Sequence, residues 1–492
     1  MISSMKVMDM TEVTSVHMVG IGGISMSGLA HILLSQGIQV SGSDRSASAL
    51  TRRLAKEGAT IYIGHEEDHV KDPDWLVYSA AISASNPERR AALERGIPQM
   101  DRAALLGKIM AGFQDSVSVA GSHGKTTTTA LLSMLLEWGG LDPTILVGGE
   151  LDDIGGNVKV GSSPILVTEA CEYQGSFLRF PARIGIVLNI DVDHLDYFKD
   201  LAAIQEVFRQ FVRQLPNNGL LVMSGTDANS LSLREEAACP VTTIQVMAGG
   251  VETIVEERSP AYESDVVQKA GHTWLRAYDL KPGPGGCWTF RLFENQKDLG
   301  RFQLGIPGLH NVHNALAALA VALELGLPPE QLRQLLPRFK GIHRRFEHHG
   351  QWQGAILIDD YAHHPAEISA TLQAARTVLE EKNKVANPRI ICVFQPHTYT
   401  RTHALLKEFG EALALADLLV ITDIYAAREP DEGLVHSQDV AALVEGHGAP
   451  AVCAPAYGQA AATVARLVKP GDMVITMGAG PVNEVIELLK GL

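Results

Sequence analysis

The residues best suited to chemistry form the string Gly121-Ser122-His123-Gly124-Lys125-Thr126-Thr127-Thr128. An apolar run over 117–120 precedes it, and a helical pattern over 130–138 follows. A strand, a glycine-rich turn, a Lys-Thr pair and a helix together make a phosphate cradle. Backbone N–H groups and the helix N-terminus face the anion, and Lys125 adds a mobile positive charge. Thr126 places a hydroxyl where a phosphate-bound Mg²⁺ takes one. The common P-loop has a glycine at the position held here by Val119, so this loop is shorter and starts at Gly121. An incidental lysine in a glycine-rich turn explains the string poorly, because the Lys-Thr pair heads a helix directly after a strand.

Glu169 follows an apolar run over 165–168, and His194 follows another over 184–190. In a parallel sheet both emerge at the carboxyl edge, where the phosphate loop also lies. A carboxylate and an imidazole there can ligate Mg²⁺ directly or through water. Asp191, Asp193 and Asp196 crowd the same turn, which alone would read as a solvated capping loop. Mg²⁺ prefers oxygen, so His194 could equally meet substrate or a metal-bound water. Farther on, Asn311 and Asn314 stand three apart on one helix face. An amide offers a donor and an acceptor, which suits an adenine edge, and helix N-capping by Asn311 uses the same groups.

Three later clusters are His343-Arg344-Arg345-Phe346-Glu347, Asp359-Asp360-Tyr361-Ala362-His363-His364-Pro365 and Gln395-Pro396-His397-Thr398-Tyr399-Thr400-Arg401. An arginine fork suits a carboxylate or a γ-phosphate. One such cluster is an ordinary surface ion-pair loop, but three at strand ends of one block argue for a site. Near the start, Gly20-Ile21-Gly22-Gly23 follows the first strand, with Asp44 about 20 positions on, as in a dinucleotide-type turn. Ser25 holds the third glycine place. The turn therefore fits any diphosphate on a helix N-terminus, nicotinamide dinucleotides among them, and equally a tight packing turn.

These residues need sheets to hold them. Strand–turn–helix alternation gives three α/β blocks, 1–113, 114–342 and 343–492. The first has strands at 13–19, 38–41, 60–63 and 75–78 and a helix near 26–36. The second has two strands, 165–168 and 184–190, after its phosphate loop, a less regular β-leaning stretch over 241–305 and a helix over 310–325. The third alternates helices with strands at 356–358, 390–394, 418–421 and 473–477. A length of 492 residues, 46% apolar and 20% charged, suits such an arrangement. The formal charge of −15 disfavours nucleic acid and anionic membrane as partners, so anion sites must be local. Five scattered cysteines without a CxxC read as reduced thiols of a cytoplasmic protein. Neither a signal peptide nor an uncharged apolar run of roughly 18 residues is expected.

In combination, the 121–128 loop, Thr168-Glu169-Ala170-Cys171-Glu172, Asn189-Ile190-Asp191-Val192-Asp193-His194, His310-Asn311-Val312-His313-Asn314 and His343-Arg344-Arg345-Phe346-Glu347 resemble the Mur ligases. The likeness runs in order over essentially the whole chain. The opening around Gly20 and the late Asp423-Ile424-Tyr425-Ala426-Ala427-Arg428-Glu429 lean toward an alanine-adding member. The resemblance implies three α/β domains: a Rossmann-like N-terminal domain, a central P-loop-type ATPase domain with a mostly parallel sheet, and a Rossmann-like C-terminal domain. It implies ATP with Mg²⁺, UDP-N-acetylmuramate and L-alanine as the molecules handled, and an amide made through an acyl phosphate in peptidoglycan synthesis. A monomer or homodimer without nucleic acid or membrane insertion is expected.

On that resemblance Gly20, Gly22, Gly23, Asp44 and Ser79 would serve the UDP-sugar. Gly121, Ser122, His123, Gly124, Lys125, Thr126 and Thr127 would hold ATP, with Asn311, Arg345 and Asp360. Thr126, Glu169 and His194 would be metal ligands, while Tyr361, His363 and Arg401 would line the alanine site. Catalysis would rest on Lys125, His194, Arg345 and His363. Two departures stand out. Several sibling ligases carry a carbamylated lysine a little beyond the metal-site histidine, but residues 201–216 contain no lysine. The segment Tyr78-Ser79-Ala80-Ala81-Ile82 has one serine where the family often has two. A sibling ligase, a murein peptide-recycling ligase, and a nicotinamide-dependent dehydrogenase fused to an NTPase are the alternatives.

Overall fold

The computed structural model describes residues 10–193, 197–247, 272–382, 387–427 and 429–492. His194, Asp196, Arg428 and the middle of the β-leaning stretch lie outside the described residues. Three sheets organise the rest. The first has five parallel strands in the spatial order Thr60–Ile63, Gln39–Asp44, Ser15–Val19, Trp75–Tyr78, Gln99–Asp101. Strand order reverses at Ser15–Val19, so the crevice beyond its carboxyl end is a topological switch point. Gly20, at φ +82°, turns the chain out of that strand toward the helix Ile24–Ser35. Met26, Leu29, Ala30 and Leu33 form the buried stripe of this helix, at spacings of three and four residues.

The central sheet is larger than the sequence reading of its block, with ten strands. Asp115–Ala120, which feeds the phosphate loop, lies between Ile184–Val187 and Ile165–Glu169, parallel to both. Val117, Val119 and Ala120 are fully buried, as expected of a strand covered on both faces. Beyond Ile184–Val187 run Leu220–Ser224, Val241–Val246 and His272–Pro282, all parallel. Cys287–Glu294 and Lys297–Pro307 then extend the edge as antiparallel strands. On the other side Thr144–Leu151 is parallel and Gly156–Lys159 antiparallel. The expected strand over 184–190 stops at Val187. Beyond it, Leu188 N–H still reaches Ala120 O at the end of the neighbouring strand, at 3.0 Å, and Asn189 O accepts from Ser122 N–H of the phosphate loop at 3.1 Å.

The third sheet runs Glu347–Trp352, Ala355–Asp360, Met473–Met477, Ile390–Phe394, Leu418–Ile421, Ala451–Cys453. Only the first pair is antiparallel. The chain thus has a three-domain α/β fold with mostly parallel sheets. No helix among the described residues is long and apolar enough to cross a membrane.

The first two domains share one continuous core. Phe177, stacked on Phe211 with centroids 4.9 Å apart, belongs to the same apolar cluster as Leu105 and Ile109 of the helix Arg102–Met110. That helix approaches the central domain at Gly107, where a Cβ would lie 2.1 Å from Arg179 O. Gly107→Ala is expected to destabilise the protein by about 1–3 kcal/mol through overpacking, read as a lower denaturant midpoint. An unchanged midpoint would show that this helix can slide away from the central domain.

Candidate active site

Two glycines shape the phosphate loop. Gly121 has φ +140° and Gly124 φ +84°. A Cβ on Gly124 would stand 2.5 Å from Asn314 Oδ1, so a side chain is excluded on two grounds. Asn189, which sequence reasoning gave no role, clamps the loop from just beyond the end of Ile184–Val187. Its Oδ1 accepts from His123 N–H at 2.8 Å and its Nδ2 donates to His123 O at 3.1 Å. The helix Lys125–Trp138 starts directly after Gly124, so its unpaired N–H groups sit at the end of the loop.

Lys125 Nζ donates to Gly121 O, to Ser122 O at 3.1 Å and to the Glu172 carboxylate at 3.1 and 3.3 Å. Burial acts to lower the pKa of this lysine, but the Glu172 charge reverses the effect and lifts it above the usual value. The ammonium is therefore held charged against a buried carboxylate. Beside it, Thr126 Oγ1 donates to Glu169 Oε2 at 3.1 Å, and Gly148 N–H donates to Glu169 Oε1 at 2.5 Å. Glu169 is in register with Val119 at the carboxyl edge of the sheet. A hydroxyl and a carboxylate placed together are the hard oxygen donors that Mg²⁺ takes, so these residues fit the ion. His194, the third expected ligand, lies outside the described residues.

A cavity of about 250 Å³ separates this loop from the third domain. His123, Gly124, Thr127, Asn311 and Asn314 line one side, with Arg345, Asp360 and Glu367 on the other. Asn311 is not the N-cap of its helix, a place held by Leu309. Its Nδ2 donates to Pro307 O at 2.7 Å, and its Oδ1 accepts from Asn314 Nδ2 at 3.0 Å. Asp360 accepts from the N–H groups of Phe346 and Ala362, each at 2.7 Å, and burial raises its pKa to about 6 despite Arg345.

Arg345 is presented by a strained turn, with positive φ at Arg344 and Phe346. Such residues cost on the order of 1–3 kcal/mol each and persist only where the surroundings hold them. Arg344 supplies that hold, donating to Asp359 at 3.0 Å and to the carbonyls of Gly478 and Gly480 at 2.7 and 2.9 Å. Glu367, absent from the sequence-based set, is the hub of the cavity. Its carboxylate lies 3.5 Å from His123 Nδ1, 3.8 Å from Arg345 Nη1 and 3.3 Å from His363 Nδ1. Burial acts to raise its pKa, but the charged His123 and Arg345 hold it well below the usual range. Burial also opposes the charge on His123, yet Asp191 and Glu367 lift its pKa to about 9.

Tyr361, His363 and Arg401 come together, joined by His397 of the third cluster, to which the sequence reading gave no role of its own. The His363 ring lies 5.5 Å from Tyr361 and 5.9 Å from His397, and Arg401 Nη1 is 3.3 Å from His397 Nδ1. Arg401 also donates to Asp193 Oδ1 of the central domain at 2.9 Å. In the first domain Gly22 N–H donates to Asp44 Oδ2 at 2.9 Å, and the N–H groups of Gly20 and Ile21 reach Ser43 O at 2.8 and 3.0 Å. Gly20 and Ser79 adjoin, since a Cβ on Gly20 would lie 3.3 Å from that of Ser79. Gly23 caps the following helix.

A short phosphate loop facing an arginine of another domain across a cavity defines a nucleotide-using enzyme of three α/β domains. The chain belongs to the Mur ligase family. Residues 15–114 match the model described as Mur ligase family, catalytic domain; 119–322 match the Mur ligase middle domain, and 344–480 the Mur ligase, glutamate ligase domain. It is 47% identical to the UDP-N-acetylmuramate–L-alanine ligase of Alkaliphilus metalliredigens, covering 98% of each chain. To the ligase of the same name in Caldanaerobacter subterraneus it is 46% identical, over 97% of this chain and 98% of the relative. Among solved structures, the UDP-N-acetylmuramate-alanine ligase of Thermotoga maritima superposes with a TM-score of 0.74 at 27% identity, covering 97% and 98% of the two chains. A murein peptide ligase of Psychrobacter arcticus shares the fold, with a TM-score of 0.66 at 23% identity.

His313 sits on the cavity wall, its Nε2 3.1 Å from Ser224 Oγ, and burial lowers its pKa to about 4. The unfolded chain takes up that proton near pH 6.5. Folding stability is therefore expected to fall as pH drops from about 6.5 to about 4, the range in which only the unfolded state is protonated here. His313→Gln keeps a partner for Ser224 and should flatten that part of a plot of denaturant midpoint against pH. A slope that persists unchanged would place its origin elsewhere.

Proposed function

We propose that this chain is an ATP-dependent ligase that joins L-alanine to the carboxylate of UDP-N-acetylmuramate, an early step of peptidoglycan synthesis. End-to-end likeness to ligases of that name supports the reaction. The observation that carries the mechanism is the cavity that His123 and Gly124 of the phosphate loop share with Arg345.

A carboxylate is a poor electrophile, because an amine cannot displace oxide from it. In the proposed sequence a muramate carboxylate oxygen attacks the γ-phosphorus of ATP, the bond to the β-phosphate oxygen breaks, and ADP leaves. The alanine nitrogen then attacks the acyl phosphate carbonyl, loses its proton, and phosphate departs with the former carboxylate oxygen. Lys125 exchanges Glu172 for the γ-phosphate, and Arg345 meets the same group from the third domain. Thr126 and Glu169, with His194, would hold Mg²⁺, which supplies charge neutralisation between the two anions. Arg401 suits the alanine carboxylate. Burial lowers the His363 pKa to about 4, so a neutral ring rather than a cation faces the amine. Contact of the third domain with the phosphate loop excludes the water that would hydrolyse an acyl phosphate.

Lys125→Ala is expected to cut the ligation rate by about 10²–10³-fold while leaving UDP-N-acetylmuramate binding intact by calorimetry. A wild-type rate in this variant would remove Lys125 from the site. Phosphate release, assayed over the common amino acids, is expected to need both UDP-N-acetylmuramate and L-alanine. Full release with ATP alone would point to a plain ATPase.

A further inference from the structure

The first domain contains a buried polar cluster that the reaction leaves unused. Glu88, on the helix Pro87–Glu94, is fully buried. Ser43 Oγ lies 2.5 Å from its Oε2, and His69 Nδ1 lies 2.9 Å from its Oε1. His17 Nε2 is 3.8 Å from Oε2. Burial acts to raise the pKa of this carboxyl, but His17, Ser43 and His69 bring it down to about 2, so it is ionised. An ionised carboxylate only accepts hydrogen bonds. Ser43 must therefore direct its one hydroxyl proton to Glu88. Its oxygen is left to accept from His65 Nδ1, 3.0 Å away. The same ring nitrogen is 3.4 Å from Glu88 Oε2, another acceptor. In the neutral ring the network thus fixes the proton on His65 Nδ1 and leaves the lone pair on Nε2.

His65 also stands at the ligand edge of the sheet. It follows the strand Thr60–Ile63, and the adjoining Gly64 donates its N–H to Asp44 O at 2.8 Å. Its side chain is 17% exposed. A diphosphate on the turn 20–23 and a ribose at Asp44 carry the base farther along this edge, toward His65. Uracil presents a donor at N3, whereas cytosine presents an acceptor there. A ring nitrogen restricted to accepting pairs with the first and opposes a lone pair on the second.

We propose that His65 Nε2 accepts the N3–H of the uracil base, and that the Glu88–Ser43 relay, by fixing the His65 tautomer, sets the preference for uridine over cytidine nucleotides. The proposal rests on the reading of the first domain as the UDP-sugar site. Glu88 is a positioning residue here, acting through Ser43 and His65.

The test is calorimetry on the full chain with UDP, CDP and N3-methyl-UDP, using ATP affinity as the control for folding. The wild-type protein is expected to favour UDP over each of the other two by about tenfold or more. In His65→Phe the three affinities should converge to within about threefold. Glu88→Gln can donate to Ser43 and reverse the relay, so the UDP-to-CDP ratio should shrink by about tenfold with ATP affinity unchanged. A UDP preference that survives His65→Phe overturns the proposal, even if Glu88→Gln fails to fold. An unchanged ratio in a folded Glu88→Gln protein overturns the relay. Equal wild-type affinity for all three nucleotides defeats this inference alone, whereas no binding of any of them defeats the UDP-sugar reading as well.

Discussion

The site depends on keeping the Lys125 ammonium charged in a place largely shut off from water. Removing one partner of a buried ion pair costs roughly 3–5 kcal/mol, because the other charge is left uncompensated. Glu172, two backbone carbonyls and the loop that presents them supply the compensation here. A phosphate entering the loop offers the same ammonium a stronger anion, so the lysine can change partners without ever being unpaired. The short loop, the Asn189 clamp and the positive φ angles at Gly121 and Gly124 all serve to hold that arrangement.

The same constraint links the domains. His123 lies on the phosphate loop, and its charge is held by Asp191 and by Glu367 of the third domain. Glu367 also touches Arg345, and through His363 it reaches the residues proposed for alanine. One carboxylate therefore connects the phosphate loop to the Tyr361, His363 and Arg401 cluster. The first domain is tied in differently, by an apolar core continuous with a face of the central sheet. That contrast fits a molecule in which the first domain is fixed to the central domain, while the third domain meets it through polar contacts that can be exchanged.

What could be read from the sequence was local. The phosphate loop was legible because glycines, Lys125 and Thr126 act within one turn. Strands such as Ile390–Phe394, Leu418–Ile421 and Met473–Met477 were legible because they are apolar runs buried on both faces. Thr144–Leu151 was missed because glycines interrupt it. Gly148 is required there, since a Cβ would lie 2.7 Å from Glu169 Oε1. Glu347–Trp352 is a polar edge strand with no alternation to reveal it. Glu367 escaped notice, and His397 and Asn189 were named only within longer strings and given no role, for another reason. Their partners come from distant parts of the chain, and nothing in their own neighbourhoods marks them as hubs. The Glu88 relay is of the same kind, joining a helix to two strand ends.

The central claim is that the sugar carboxylate itself becomes the leaving group's carrier by taking phosphate from ATP. UDP-N-acetylmuramate labelled with ¹⁸O in its carboxylate tests this directly, with mass spectrometry of the inorganic phosphate released during turnover with ATP and L-alanine. An oxygen from the labelled carboxylate is expected in the phosphate at each turnover. Phosphate free of the label, formed alongside the amide product, would contradict the account.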